Sequence, residues 1–135
     1  MVYRWNQVVG KEDKIYHLGD IAMRKSGARL LEQCNGKKIL IRGNHDRESL
    51  SFYSKLFEDI RGAYNYKNLL LTHVPVHPGS KSRFLKNIHG HLHSNKIDDP
   101  WYVNVCVEQI NYTPISLDEI VREASENNPL QAQEE

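Results

Sequence analysis

The sequence predicts an α/β chain with a layered sheet core, and three observations lead there. Apolar, β-rich runs such as "KIYHL", "KKILI" and "NLLLT" alternate early on with short segments of helical spacing. Strand-like runs dominate the second half. Four of the runs end at turns carrying a carboxylate, an amide or an imidazole: "HLGD", "RGNHD", "LLLTHVP" and "IHGHLH".

"YRWNQVV" spaces Trp5 with Val8 and Val9 as a helix does. "KIYHLGD" alternates and halts at Gly19-Asp20, a strand ending in a turn. "SGARLLEQCNG" reads as a short helix capped by Ser26 and stopped by Gly36. "KKILIRGNHD" is a strand running into a Gly43-Asn44 turn, and "SLSFYSKLF" is a second helix. "AYNYKNLLLTH" is a hairpin turning at Lys67-Asn68. "NIHGHLH" and "WYVNVCVE" are further strands, which sets His91 and His93 at i, i+2 on one face. Ser116 and Glu119 form a capping box opening a last helix, "LDEIVREAS". Residues 1–124 read as one domain, and 125–135, polar and broken by Pro129, as a disordered tail.

Composition narrows the function. A formal charge of +1 over 135 residues leaves no basic excess for a dedicated nucleic-acid surface. Apolar runs such as Leu69–Leu71 are too short to cross a membrane, and "MVYRWNQVV" lacks the pattern of a secretion signal. Cys34 and Cys106 lack metal-ligand spacing and read as buried thiols of a reducing cytoplasm.

Asp20, Asn44, His73 and His91 each follow a strand, where ligands gather in open α/β sheets. A carboxylate, an amide oxygen and two imidazoles suit a first-row divalent ion. The glycines of "LGD", "RGN" and "HGH" let the backbone turn sharply before the ligand. Taken singly, a Gly-Asp or Gly-Asn after a strand is ordinarily a turn, and a lone histidine ordinarily a hydrogen-bonded core residue. The ordered set of four carries the metal reading.

"HLGD", "GNHD", "LLLTHVP" and "GHLH", in that order, resemble the calcineurin-like metallophosphoesterases, most of all the small stand-alone members of bacteria and phages. The resemblance runs from "WNQVV" to "NYTPISLDEI". It implies a four-layer αββα sandwich with two metal ions at one edge. Asp20 would bridge the ions, Asn44, His73 and His91 would complete the second site, and His93 would serve the first. Asn44 and His45 would be the catalytic pair, His45 as general acid or as stabiliser of the phosphoryl oxygens. Mn²⁺ leads among the ions, with Fe²⁺, Zn²⁺ and Ni²⁺ as alternatives.

The departure from the family is equally informative. An opening strand with an Asp-x-His motif normally supplies two ligands to the first metal, and nothing before Lys14 offers one. The fold is thus expected to be shortened at its N-terminus by one strand, with one ion per chain rather than two. The sheet edge beside "KIYHL" is expected to be covered by a second copy or a partner. Arg42, Arg47, His77 and Arg83, with Lys81 and Lys86, flank the motifs as candidates for holding phosphate oxygens. Asp46 is a weak candidate for orienting His45. His17 belongs to the core or just behind the site, and His89 to the pocket rim. The reading is a hydrolase of phosphomonoesters or phosphodiesters that works through a metal-activated water. The alternative is a non-catalytic module of the same fold that binds a protein partner.

Overall fold

Trp5 anchors the start of the chain in the core. In this computed structural model, which describes residues 1–21 and 25–127, α1 (Val2–Val8) buries it. Its indole N–H donates to the Asn35 carbonyl at 2.8 Å. With Val9 it packs on Leu31, Cys34, Leu40, Tyr53 and Phe57, the first of two cores. α1 thereby lies over a three-stranded parallel sheet ordered β1 (Lys14–His17), β2 (Lys37–Ile41), β3 (Asp59–Arg61). β1 and β3 are its edge strands.

The segment from Lys25 is less regular than its spacing predicts. It is one α-turn, α2 (Lys25–Ala28), passing into a 3₁₀ turn over Arg29–Gln33. Ser26 lies inside that first turn, so it is not the N-cap. Gly36 ends the segment at φ +106°, a conformation glycine adopts without strain. The helix expected from "SLSFYSKLF" is also a single turn, α3 (Leu50–Tyr53), capped by the Ser49 hydroxyl accepting from the Phe52 N–H. β3 was not foreseen, since three residues carry too little periodicity to register.

The second sheet is ordered β4 (Ala63–Tyr66), β5 (Leu69–Thr72), β6 (Lys86–His89), β7 (Tyr102–Asn104). β4 and β5 form the expected hairpin, with Tyr66 opposite Leu69. Its loop residues Lys67 and Asn68 sit at φ 47° and 68°, as a two-residue turn that follows strand twist requires. β5, β6 and β7 run parallel, so β5 is a central strand and reads as an unbroken run of leucines.

The sheets meet over Leu18, Ile41, Leu69, Leu71 and Ile88, with Tyr16, Tyr64 and Tyr66 at the margin. Leu117, Ile120 and Val121 of α4 (Leu117–Glu126) pack onto the same core. The Ser116 hydroxyl caps α4 by accepting the Glu119 N–H at 3.3 Å, as expected. On the other face of the second sheet, Asn87 accepts the Val76 N–H and donates to Thr72 and the Leu70 carbonyl, which ties down the 74–85 segment. α4 runs to Glu126, past the boundary expected at 124; of the expected tail, residues 128–135 lie outside the described residues. The product is an α/β sandwich of a parallel and a mixed sheet. In both, β1, β2, β5 and β6 deliver their C-terminal ends toward a common place.

Candidate metal centre

At those strand ends Leu18, Arg42, His73 and Gly90 begin four loops. His73 is 6% exposed and stands at their junction. Its Nδ1 donates to the Leu18 carbonyl at 2.6 Å; a carbonyl only accepts, so the proton sits on Nδ1 and Nε2 keeps a lone pair. That Nε2 faces Asn44 Oδ1 at 2.9 Å, His91 Nδ1 at 3.1 Å and Asp20 Oδ2 at 3.2 Å. Asn44 Oδ1 in turn lies 3.1 Å from His91 Nδ1.

Two oxygens that only accept and the lone pair of His73 Nε2 therefore converge with His91 Nδ1, whose proton, if present, serves at most one of them. Such closeness calls for a shared proton or a cation. The ligand atoms of Asp20, His73 and His91 lie within 4.8 Å of one another, the one such group of three among the described residues. A carboxylate, an amide oxygen and two imidazoles are the donor set of a first-row divalent ion, and a ligating histidine held by its other nitrogen on a backbone carbonyl is the usual arrangement. The residues fit a metal.

Two of the donors are held in strained backbone. Asp20 and His91 have φ of 53° and 69°, a region that costs a non-glycine residue free energy and persists where surroundings enforce it. The enforcing group at Asp20 is Asp46, buried at 2% exposure. Its carboxylate accepts the backbone N–H of Asp20 at 2.8 Å, of Ile21 at 2.9 Å and of Gly43 at 2.8 Å. Asp46 thus pins the loop after β1 to the loop after β2; it makes no hydrogen bond to the His45 ring among the described residues. Glycine at 19 and 43 is required by the approach of these loops. A Cβ on Gly43 would fall 2.4 Å from Asp20 Oδ1, and one on Gly19 would fall 2.6 Å from the Gly43 nitrogen.

His45 joins the site through its backbone, whose N–H donates to Asp20 Oδ1 at 2.8 Å. Its ring Nδ1 is buried without a partner, an imidazole nitrogen with bonding capacity to spare.

His93 stands apart from the converging donors. "NIHGHLH" is not one strand: β6 ends at His89, and His91 and His93 both lie in left-handed turns. The alternation argument that set them on one face therefore does not apply. His93 Nδ1 pairs with Glu108 Oε1 at 3.1 Å. β7 likewise ends at Asn104, short of the strand expected through Glu108. At its end Asn104 donates to the carbonyls of His93 and Asn95, and beyond it Gln109 donates to that of His93. The backbone N–H groups of His93 and Leu92 face the Cys106 sulfur, whose thiol burial pushes up.

The arginines divide. Arg42 is spent on its own loop, donating to the carbonyls of Asp46 and Glu48 and stacking over Tyr53. Arg47 and Arg83 are exposed. His77 caps the 3₁₀ turn Pro78–Ser80, its Nδ1 accepting from the Gly79 N–H. Lys81 pairs with Asp99, and Lys86 donates to the Pro100 carbonyl. His17 rests edge-on to Phe57, and burial holds its imidazole below the ordinary range. His89 is fully buried beside Tyr102, not at a rim, and burial lowers its imidazole too. Among the described residues no helix is long and apolar enough to cross a membrane.

The sequence and the fold both have relatives among known proteins. An uncharacterised protein of Methanocaldococcus jannaschii is 37% identical over 138 residues, spanning 90% of this chain and 72% of that protein. The crystal structure of a protein of unknown function from Aquifex aeolicus matches with a TM-score of 0.73 at 27% identity, over 90% of this chain and 82% of that one. The family model for calcineurin-like phosphoesterases matches residues 2–132, and the chain belongs to that family.

Proposed function

We propose that the protein is a metal-dependent phosphoesterase that hydrolyses phosphomonoester or phosphodiester bonds. The observation that supports this best is the convergence of Asp20, Asn44, His73 and His91 on one point, with His45 alongside. An ion held by those four would polarise a phosphoryl oxygen and make water more acidic. Mn²⁺ suits the mixed oxygen and nitrogen set, with Fe²⁺, Zn²⁺ or Ni²⁺ as alternatives. The chain's own groups do the rest. Asp46 and the two glycines keep the donors in place before substrate arrives, and His45, tied to Asp20 through its backbone, stands beside them to hand a proton to the leaving oxygen. Arg47 and Arg83, exposed, are the cations left to meet non-bridging phosphate oxygens.

One ion is held tightly on this reading, because four donors meet at one point and His93 is not among them. β1 as an edge strand favours a second copy of the chain as its cover, and two free thiols suit a reducing cytoplasm. The test is turnover of an aryl phosphodiester and an aryl phosphomonoester by the Mn²⁺-loaded chain, beside its His73→Ala form. Hydrolysis that vanishes in the variant supports the reading. Metal binding without hydrolysis of either ester overturns it in favour of a binding module.

A further inference from the structure

Arg42 flanks the metal-centre motifs yet directs its guanidinium at the backbone. The residue still belongs to the first sheet, its own N–H donating to the Arg61 carbonyl at 3.0 Å just past the end of β2. From that base the side chain reaches over the loop of residues 43–48, which carries Asn44, His45 and Asp46. Its Nε donates to the Asp46 carbonyl at 2.8 Å and its Nη2 to the Glu48 carbonyl at 2.9 Å. The loop's own backbone bonds run from Asp46 N–H to the Gly43 carbonyl and from Arg47 N–H to the His45 carbonyl, which leaves those two carbonyls to the arginine.

Tyr53 completes the grip. It is buried at 3% exposure, its ring lies 5.6 Å from the guanidinium, and its hydroxyl accepts the Glu48 N–H at 3.1 Å. The backbone at Glu48 is thus held at both its N–H and its carbonyl, by two side chains stacked on each other. What the loop presents is the Asp46 carboxylate, which accepts the N–H groups of Asp20, Ile21 and Gly43. Arg42 holds the carbonyl of Asp46, and Asp46 holds Asp20. Each of those two bonds is 2.8 Å long.

We propose that Arg42, seated on Tyr53, is a positioning residue of the metal centre, setting the 43–48 loop so that the Asp46 carboxylate meets Asp20 and Asn44 joins the converging donors. The fork matters as well as the charge. Two carbonyls are met by neighbouring N–H groups of one planar guanidinium, a geometry that a lysine's single ammonium does not reproduce. The proposal deepens the phosphoesterase reading and rests on it for its purpose. Removing a group that orients a metal ligand commonly weakens metal binding about 10–100-fold. Arg42 acts on Asp20 through Asp46, so the lower end of that range applies.

The experiment compares the full chain with Arg42→Met, Arg42→Lys and Val121→Ala, the last a truncation where α4 packs on the second core. In metal-free protein, ¹H–¹⁵N spectra read the amides of Asp20, Ile21 and Gly43, whose protons bond to Asp46. These signals are expected to shift in Arg42→Met, to move partway in Arg42→Lys and to stay in Val121→Ala. Mn²⁺ affinity should be about tenfold weaker in Arg42→Met, with Arg42→Lys between. Val121→Ala should unfold at lower denaturant and bind Mn²⁺ as the parent does. Should Arg42→Met not fold, Arg42→Lys decides by the same two measures. A folded variant of Arg42, Met or Lys, with the parent's amide signals or the parent's Mn²⁺ affinity overturns the proposal. Equal weakening in Val121→Ala overturns it too, because Arg42 would then act through stability alone. If both results hold and the parent chain hydrolyses neither aryl ester, the phosphoesterase reading falls and the role of Arg42 stands.

Discussion

The carboxylate of Asp46 accepts the backbone N–H of Asp20 at 2.8 Å and so sets the conformation of a metal-centre residue from a neighbouring loop. Three backbone N–H groups, all part-buried, share that carboxylate, and two of them use the same oxygen, Oδ2. Asp46→Asn keeps one oxygen and replaces the other by a donor. If the amide oxygen retains Asp20 and Gly43, its nitrogen confronts the Ile21 N–H. Leaving one buried donor unsatisfied costs about 1–3 kcal/mol. The variant should unfold at lower denaturant by that amount and bind Mn²⁺ less tightly, because Asp20 is no longer pinned. Unchanged Mn²⁺ affinity in a folded Asp46→Asn protein would show that Asp20 keeps its place without the clamp.

Sequence patterns reached the strands and the donors because each donor follows an apolar run long enough to register, as Asp20 follows β1 and His73 follows β5. They missed features set by contact between loops. Asp46 reads as the last letter of "GNHD" and nothing local says that its acceptors serve Asp20, 26 positions earlier. His91 and His93 take the left-handed region, which polar residues rarely adopt without tertiary support, so alternation along "NIHGHLH" misled. Ser26 failed as a cap because the helix starts at Lys25 and tightens into a 3₁₀ turn where Leu31 must reach the core under Trp5.

Metal-free stability should fall with acid. His17 and His89 both have imidazoles lowered by burial, the first partly offset by the Asp46 and Asp20 carboxylates and the second by its bond to the Gly90 carbonyl. An imidazole with a lower folded than unfolded value binds its proton more readily in the unfolded chain. The stability tied to it is thus present above the ordinary 6.5 and is lost as pH falls below that toward the folded value. Denaturant midpoints measured in chelator should be level above pH 7.5 (about one unit clear of an ordinary imidazole) and decline between about 6.5 and 5. His89→Leu should flatten the decline. A midpoint that ignores pH across that span would show that neither ring titrates with unfolding.

The two histidines of "HGHLH" should separate on metal loading. His91 belongs to the group of three within 4.8 Å, whereas His93 pairs with Glu108. After dialysis against limiting Mn²⁺, elemental analysis should give about one ion per chain for the parent protein and for His93→Ala, and close to none for His91→Ala. Equal loss in both variants would place His93 in the tight site.

The last expectation concerns proton delivery by His45. Its backbone N–H holds Asp20 Oδ1 at 2.8 Å, which sets the residue beside the converging donors. Replacing the ring therefore leaves the backbone bond, and with it the Asp20 carboxylate, in place, so His45→Ala should load Mn²⁺ as the parent does. What it removes is a group able to protonate the departing oxygen. General acids of this kind contribute about 10²–10⁴ in rate when the leaving group is poor. An aryl oxide departs without a proton, so aryl esters should lose little, whereas alkyl esters should lose about 10²-fold or more. Rates over a series of esters of graded leaving-group pKa should thus fall more steeply for His45→Ala than for the parent chain. Parallel lines, displaced by a constant factor, would instead mean that His45 stabilises charge on the phosphoryl oxygens, which every ester shares, and that the leaving group finds its proton in water.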